Sequence, residues 1–193
     1  MADPLETYIS IDIETAGPIP SEYALLSIGA CRVDDPEVSF YVELQPTSMA
    51  FTREALEISG LSLETLTHEG LPPAEAMTNF EAWIHHVTAD GSRAVFVAFN
   101  APFDWMFVNE YFHRYLSRNP FGHSALDIKA YFMGLSGSMW TETRMVEIRE
   151  VLELRGELSH HALEDAKEQA ILFRHMLSIA NQRSKAQNTE QKP

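Results

Sequence analysis

The 193-residue sequence has little cysteine, little positive charge and no long apolar run. Its one cysteine, Cys31, excludes an internal disulfide, and no basic segment followed by an apolar one opens the chain, so we expect a cytoplasmic protein. No stretch of about 18 apolar residues occurs, so we expect no membrane-spanning segment. The hydrophobic content of 45% suffices for one core, which predicts a single domain over residues 1–180 and a disordered tail over residues 181–193.

The shortage of basic residues limits how the protein can bind nucleic acid. Lysine and arginine number 14 against 28 acidic residues, which gives a formal net charge of −14. Tight binding of long nucleic acid depends on neutralising phosphates with such side chains. Any nucleic-acid role is therefore expected to be local, at a short stretch or a chain end, with metal ions supplying positive charge.

The pattern of apolar residues predicts an α/β fold with a mixed sheet. Three antiparallel strands are predicted to lead the chain, at residues 7–14, 24–33 and 38–44. Two short apolar runs predict further strands at residues 94–99 and 123–128. Helical spacing predicts short helices and loops over residues 52–70 and longer helices from Pro72 to before Asp90 and over residues 102–117, 142–155 and 159–180.

The first predicted strand contains two acidic residues, Asp12 and Glu14, in the stretch YISIDIET. Residues two apart in a strand project from the same face, and their Cα atoms lie roughly 7 Å apart. Two carboxylates side by side on a covered sheet repel each other and lose hydration, so the pair predicts a bound cation. The alternative is an edge strand whose polar face meets water.

Two more acidic positions and a pair of histidines extend this pattern. Asp104 follows a predicted strand in the stretch NAPFD, where it is also an ordinary first-turn helix acid, and Asp165 lies in the last predicted helix. Along a regular helix, His161 would share the face of Asp165, whereas the five-residue step from His160 turns roughly 140°. His160 meets Asp165 only if it lies in the loop before the helix, so local geometry favours His161 and leaves His160 open.

These motifs, in this order, resemble the DEDD superfamily of 3′-to-5′ exonucleases. The motifs are Asp-x-Glu on the first strand, Asn-x-x-Phe-Asp after a central strand, and His-x4-Asp near the end. Their spacing resembles the DEDDh branch, which includes proofreading exonuclease subunits, ribonuclease T and oligoribonuclease. The likeness extends from about Tyr8 to Phe173 and includes GLSLETLTHEG, residues 60–70. It implies a ribonuclease H-like sheet of three antiparallel N-terminal strands plus two parallel strands, flanked by helices.

The resemblance also implies the roles of individual residues. Asp12, Glu14, Asp104 and Asp165 are expected to bind two divalent ions, Mg²⁺ or Mn²⁺, and His160 is expected to be the general base. His161 occupies the spacing at which a sister branch has a tyrosine, so it remains the alternative base. Candidate substrate contacts are Thr15, Ala16, Asn100 and Phe103. A turn at Thr15 and Ala16 and core packing of Phe103 against Phe107 are the alternatives for those positions.

The expected reaction is hydrolysis of the terminal phosphodiester, which releases a nucleoside 5′-monophosphate. The acidic composition favours short or single-stranded 3′ ends, and the likeness to the stand-alone ribonucleases favours RNA over DNA. A proofreading or repair DNA exonuclease is the main alternative, and an inactive nucleic-acid-binding module of the same fold is the weaker one. The resemblance also raises the expectation of a homodimer, to which the aromatic helix at residues 102–117 would contribute an apolar surface, although core packing explains that helix equally well.

Overall fold

The computed structural model describes the backbone of residues 6–154 and 160–190. Its strands are β1 (Glu6–Thr15), β2 (Leu25–Arg32), β3 (Ser39–Glu43), β4 (Arg93–Ala98) and β5 (Ala125–Asp127). They form one sheet in the order β3-β2-β1-β4-β5. The pairs β1–β2 and β2–β3 are antiparallel, whereas β1–β4 and β4–β5 are parallel. This arrangement confirms the predicted sheet, and β1 lies at its centre.

The helices of the described residues flank this sheet. They are α1 (Arg53–Ser59), α2 (Leu63–Glu69), α3 (Pro73–Val87), α4 (Ala101–Leu116), α5 (Ile128–Ser136), α6 (Met145–Val151) and α7 (Ala162–Glu190), with a 3-10 turn at Trp140–Glu142. No helix within residues 6–154 and 160–190 combines the length and apolar character needed to cross a membrane.

Two helix boundaries differ from the sequence prediction. The helix predicted over residues 142–155 is shorter, since α6 spans Met145–Val151, and residue 155 lies outside the described residues. The last helix continues to Glu190 instead of ending near Ala180, because residues 181–190 contain no Gly or Pro and include several good helix formers. Residues 181–190 of the predicted tail thus belong to α7, while residues 191–193 lie outside the described part. The one-domain organisation stays a prediction.

The sheet has an apolar core on each face. On one face, Ile9, Ile11 and Ile13 of β1 pack with residues of α3 and α4. The aromatic stripe of α4 contributes to this core, since Phe107 and Tyr111 are fully buried. On the other face, residues of β2 and β4 pack with α5, α6 and α7. The alternate residues of β1 on this second face include the two acidic ones.

A single glycine allows α7 to approach this second face closely. Gly29 of β2 is the register partner of Asp12. A Cβ atom at Gly29 would lie 2.2 Å from the carbonyl carbon of Ala162 and from the backbone nitrogen of Leu163. Only glycine fits there, and the contact brings the first turn of α7 against the strand that neighbours Asp12.

Candidate active site

Three carboxylates from two elements meet on the α7 side of the sheet. Asp12 and Glu14 project from β1, and Asp165 projects from the first turn of α7. One side-chain oxygen from each residue lies within 4.8 Å of the others. Asp165 is only 4% exposed, whereas Asp12 and Glu14 are half-buried. The sequence predicted that these three residues come together, and the structure brings them together.

Asp104 lies beside this group. It is in the first turn of α4 and is 5% exposed. It is not a member of the set of three carboxylates whose oxygens lie within 4.8 Å of one another. Its charge nevertheless acts on Asp12, so the fourth predicted acid contributes to the same electrostatic environment.

Without cations, burial and mutual repulsion disfavour the charged forms of Asp12, Glu14 and Asp104 and raise their pKa values. Burial raises the pKa of Asp12 well above its ordinary value, and the charges of Asp104, Glu14 and Asp165 raise it further. Burial and the charge of Asp165 raise the pKa of Glu14 to about 7. Burial also raises the pKa of Asp104 well above its ordinary value, although backbone hydrogen bonds at Asp104 and Ile13 act in the opposite direction.

This set of ligands fits hard divalent cations. Mg²⁺, Mn²⁺ and similar ions take oxygen ligands, and carboxylates are the strongest protein ligands of this kind. Positive charge between these carboxylates would offset the repulsion that helps to raise the pKa values of Asp12 and Glu14. The donors present therefore match the predicted metal site.

Gln169 is a site residue that sequence reasoning missed. Its side-chain Nε2 donates a hydrogen bond of 2.6 Å to Asp12 Oδ1, while its Oε1 accepts one of 2.9 Å from the backbone N–H of Phe99. Gln169 is 2% exposed and thus fixes Asp12 relative to the end of β4. The available signal was its spacing, because a residue four positions after Asp165 lies on the same helix face.

The structure separates the two histidines. His160 lies before the helix with a positive φ of 55°, and its backbone N–H donates to Asp165 Oδ2 at 3.0 Å. Its side chain is exposed. The ring of His161 instead stacks on Tyr41, with centroids 4.7 Å apart and an interplanar angle of 24°. The condition that sequence geometry set for His160, a loop position before the helix, is met.

A groove beside Glu14 contains two of the predicted substrate contacts. It has a volume of about 420 Å³ and is lined by Thr15 and Phe103 together with residues of α1. Phe103 is half-buried and also packs on Phe107, with ring centroids 5.6 Å apart. Ala16 is fully buried, and its N–H and C=O bond to Ala24 and Thr52.

Asn100 lies where β4 turns into α4. It is exposed, its φ of 64° is left-handed, and its side chain does not cap the helix. Its neighbour Ala101 donates its N–H to Asp127 Oδ2 at 2.7 Å, and Asp127 Oδ1 accepts from Ala130 at the same distance. Asp127 therefore links the beginnings of α4 and α5, at the same end of the parallel strands as Asp12.

The mixed sheet and its acidic cluster define a class of protein. A central strand with Asp-x-Glu, an aspartate at the start of α4 and a His-x4-Asp motif at α7 form the DEDDh arrangement on a ribonuclease H-like fold. A model of the family described as Exonuclease matches residues 9–173, and the chain belongs to this family. The protein is a metal-dependent 3′-5′ exonuclease, which confirms the predicted enzyme class.

Known proteins similar to this chain include named exonucleases. The chain is 48% identical over 169 residues to the 3′-5′ DNA exonuclease Cap18 of Escherichia coli, covering 88% of this chain and 90% of that protein. It is 31% identical over 183 residues to ribonuclease T of Histophilus somni strain 129Pt, covering 88% and 83%. The nuclease domain of 3′hExo, a DEDDh family member bound to rAMP, shares the fold with a TM-score of 0.74 at 15% identity, covering 92% and 94%.

Proposed function

We propose that this exonuclease removes nucleotides from the 3′ end of single-stranded DNA by a two-metal mechanism and releases nucleoside 5′-monophosphates. The observation that carries the proposal is the group of three carboxylates whose oxygens lie within 4.8 Å of one another. DNA is placed first because the relative that is 48% identical is named as a DNA exonuclease. The RNA preference expected from the sequence becomes the second candidate.

The acidic residues are proposed to hold the ions. Asp12, Glu14 and Asp165 form the main set of ligands, and Asp104 completes it from α4. When bound, two divalent ions such as Mg²⁺ or Mn²⁺ supply positive charge at the attacking and leaving oxygens of an in-line displacement. Gln169 holds Asp12 in place for this role through its 2.6 Å hydrogen bond.

His160 is proposed as the general base. It accepts a proton from the attacking water, whose oxygen bonds to phosphorus while the bond from phosphorus to the 3′ oxygen of the preceding nucleotide breaks. That 3′ oxygen takes up a proton and becomes the new strand end. Support comes from the loop position of His160 and its backbone hydrogen bond to Asp165, whereas the ring of His161, although also exposed, stacks on Tyr41.

The terminal nucleotide is proposed to bind in the groove beside Glu14. Thr15 and the half-buried ring of Phe103 line it, and an aromatic ring can stack on any base. Asn100 is exposed near the start of α4 and remains a proposed contact. Ala16 shapes the turn, since its backbone groups are both bonded within the protein.

RNA is the second candidate substrate. The similarity to ribonuclease T, at 31% identity over 183 residues, favours it. A homodimer and a cytoplasmic location stay predictions.

Matched oligomers test the proposal. Single-stranded DNA and RNA of the same sequence, labelled at the 5′ end, are incubated with the protein and Mn²⁺, and the products are identified by mass spectrometry. We expect ladders shortened one nucleotide at a time together with nucleoside 5′-monophosphates, with DNA cleaved faster. Internal cleavage or nucleoside 3′-monophosphates would overturn the mechanism, and faster cleavage of RNA would make it the main substrate.

A further inference from the structure

An exposed tryptophan and a lysine lie together at the beginning of α5. The ammonium group of Lys129 is 4.4 Å from the centre of the Trp140 ring and 5.8 Å from the centre of the Phe99 ring. Trp140 is 51% exposed, an unusual amount of aromatic surface in water. We call these two residues the Lys129–Trp140 pair.

Among the described side chains, no carboxylate forms an ion pair with Lys129. Within residues 6–154 and 160–186, where side chains are described, Lys129 contacts aromatic rings and forms no ion pair. Basic residues that do form ion pairs with Asp or Glu are Arg32, Arg53, Arg114, Arg118, Arg144, Arg149 and Lys167. Because the chain has a net charge of −14, the ammonium group of Lys129 provides local positive charge that can attract a phosphate.

Short covalent and hydrogen-bonded links connect the pair to the acidic cluster. Lys129 follows Asp127, which accepts a hydrogen bond from Ala101 in the helix that carries Asp104. Phe99, which Lys129 faces, donates its N–H to Gln169, and Gln169 in turn holds Asp12. Lys129 therefore lies at the same end of the parallel strands as Asp12, beyond the carboxyl ends of β4 and β5.

We propose that the Lys129–Trp140 pair binds single-stranded nucleic acid upstream of the bond that is cut. Trp140 stacks on a base, and Lys129 contacts a neighbouring phosphate. Sequence-independent binding of single strands combines these two contacts, an aromatic platform and a cation along the backbone. This inference rests on the proposed function, because it extends the path of the strand whose 3′ end enters the site.

The test compares a long with a short oligomer. Binding of decathymidylate and of dithymidylate is measured with Ca²⁺ in place of the activating ion, and turnover is measured separately with Mn²⁺. Trp140→Leu is expected to weaken binding of the decamer about tenfold, the loss typical of one base–aromatic stack, with a smaller effect on the dimer. Lys129→Gln is expected to lower the dependence of decamer binding on salt by about one phosphate contact.

Tryptophan fluorescence gives a direct readout of stacking. The chain has 3 tryptophans, and Trp83 and Trp105 pack against the core whereas Trp140 is exposed. Decathymidylate is expected to quench the fluorescence, and Trp140→Phe is expected to remove most of the quenching while Trp83→Phe retains it. Val146→Ala, at an exposed apolar residue of α6, serves as the matched surface control and is expected to bind like the unmodified protein.

Two results would overturn the inference. One is quenching that persists in Trp140→Phe. The other is an equal loss of affinity for the decamer and the dimer in Trp140→Leu. Both measurements proceed without turnover, so failure of the protein to cleave either oligomer is a separate result that contradicts the proposed function instead.

Discussion

The two faces of β1 differ in what they contribute to the protein. On one face, Ile9, Ile11 and Ile13 are buried in the core with α3 and α4. On the other face, Asp12 and Glu14 meet Asp165 of α7. The apolar face lowers the free energy of the folded state, whereas the acidic face raises it until cations arrive. One strand thus separates stability from chemistry by the direction in which alternate side chains point.

Removing one carboxylate should have the largest effect and should affect activity and stability in opposite directions. Asp12→Asn is expected to abolish Mn²⁺-dependent nucleotide release while the metal-free protein becomes more stable, because a charge that burial and its neighbours disfavour is gone. Release of nucleotides and urea unfolding measure the two effects. On the opposite face, Ile11→Ala is expected to cost about 2–5 kcal/mol of stability. Undiminished cleavage by Asp12→Asn would remove Asp12 from the site.

The histidines offer the next largest effect. His160→Asn is expected to lower the cleavage rate about 10²–10⁴-fold, the usual range for a general base. His161→Asn is expected to lose only its ring contact with Tyr41 and to cleave at nearly the unmodified rate. The rate of product release in single-turnover experiments measures both. The reverse order of effects would assign the base to His161.

Gln169 should show an intermediate effect. Gln169→Leu removes both of its hydrogen bonds and is expected to weaken Mn²⁺ binding about 10–100-fold, the usual loss when a residue that orients a metal ligand is replaced. Gln169→Glu can still accept from Phe99 but cannot donate to Asp12, so it should weaken binding at least as much. Met176→Leu, a buried position further along α7, is the control for packing. Mn²⁺ affinity equal to that of the control would contradict a positioning role.

The smallest effect concerns pH and stability without metal. The pKa of Glu14 is about 7 in the folded protein against an ordinary value of 4.5, so between these values the folded state binds more protons than the unfolded state. Stability from this group is full below the ordinary pKa and is lost as the pH rises through the folded value. The urea midpoint should therefore fall between about pH 5 and about pH 8, less so in Glu14→Gln. Mn²⁺ should reduce this fall of the urea midpoint. A midpoint that falls equally with pH in Glu14→Gln and in the unmodified protein would contradict the raised pKa of Glu14.

The sequence predicted those features of the site that depend on local periodicity. The alternation of β1 placed Asp12 and Glu14 on one face, and the strand-to-helix turn after β4 placed Asp104 in a first helical turn. The motif spacing also pointed to His160, which helical geometry alone did not favour. His160 lies in the loop before α7 with a positive φ, so the roughly 140° step of a regular helix does not apply to it, and its role as the base stays a prediction.

Features that depend on contacts between distant elements could not be predicted in the same way. The role of Gly29 depends on the backbone of Ala162 lying against it, and no local sequence pattern predicts this contact between β2 and α7. Gln169 bridges Asp12 and Phe99, which are 157 and 70 residues away. The predicted end of α7 near Ala180 was also wrong. Residues 181–190 are polar, but their helix propensity is sufficient for α7 to continue to Glu190.

The most direct test of the central claim is a calorimetric titration of the metal-free protein with Mn²⁺. The three carboxylates at β1 and α7, with Asp104 beside them, should bind two ions per chain in a saturable manner, and Asp12→Asn should lose this binding while Ile11→Val on the opposite face keeps it. Absence of saturable Mn²⁺ binding, or binding that is unchanged in Asp12→Asn, would contradict the assignment of this face of β1 as the catalytic metal site.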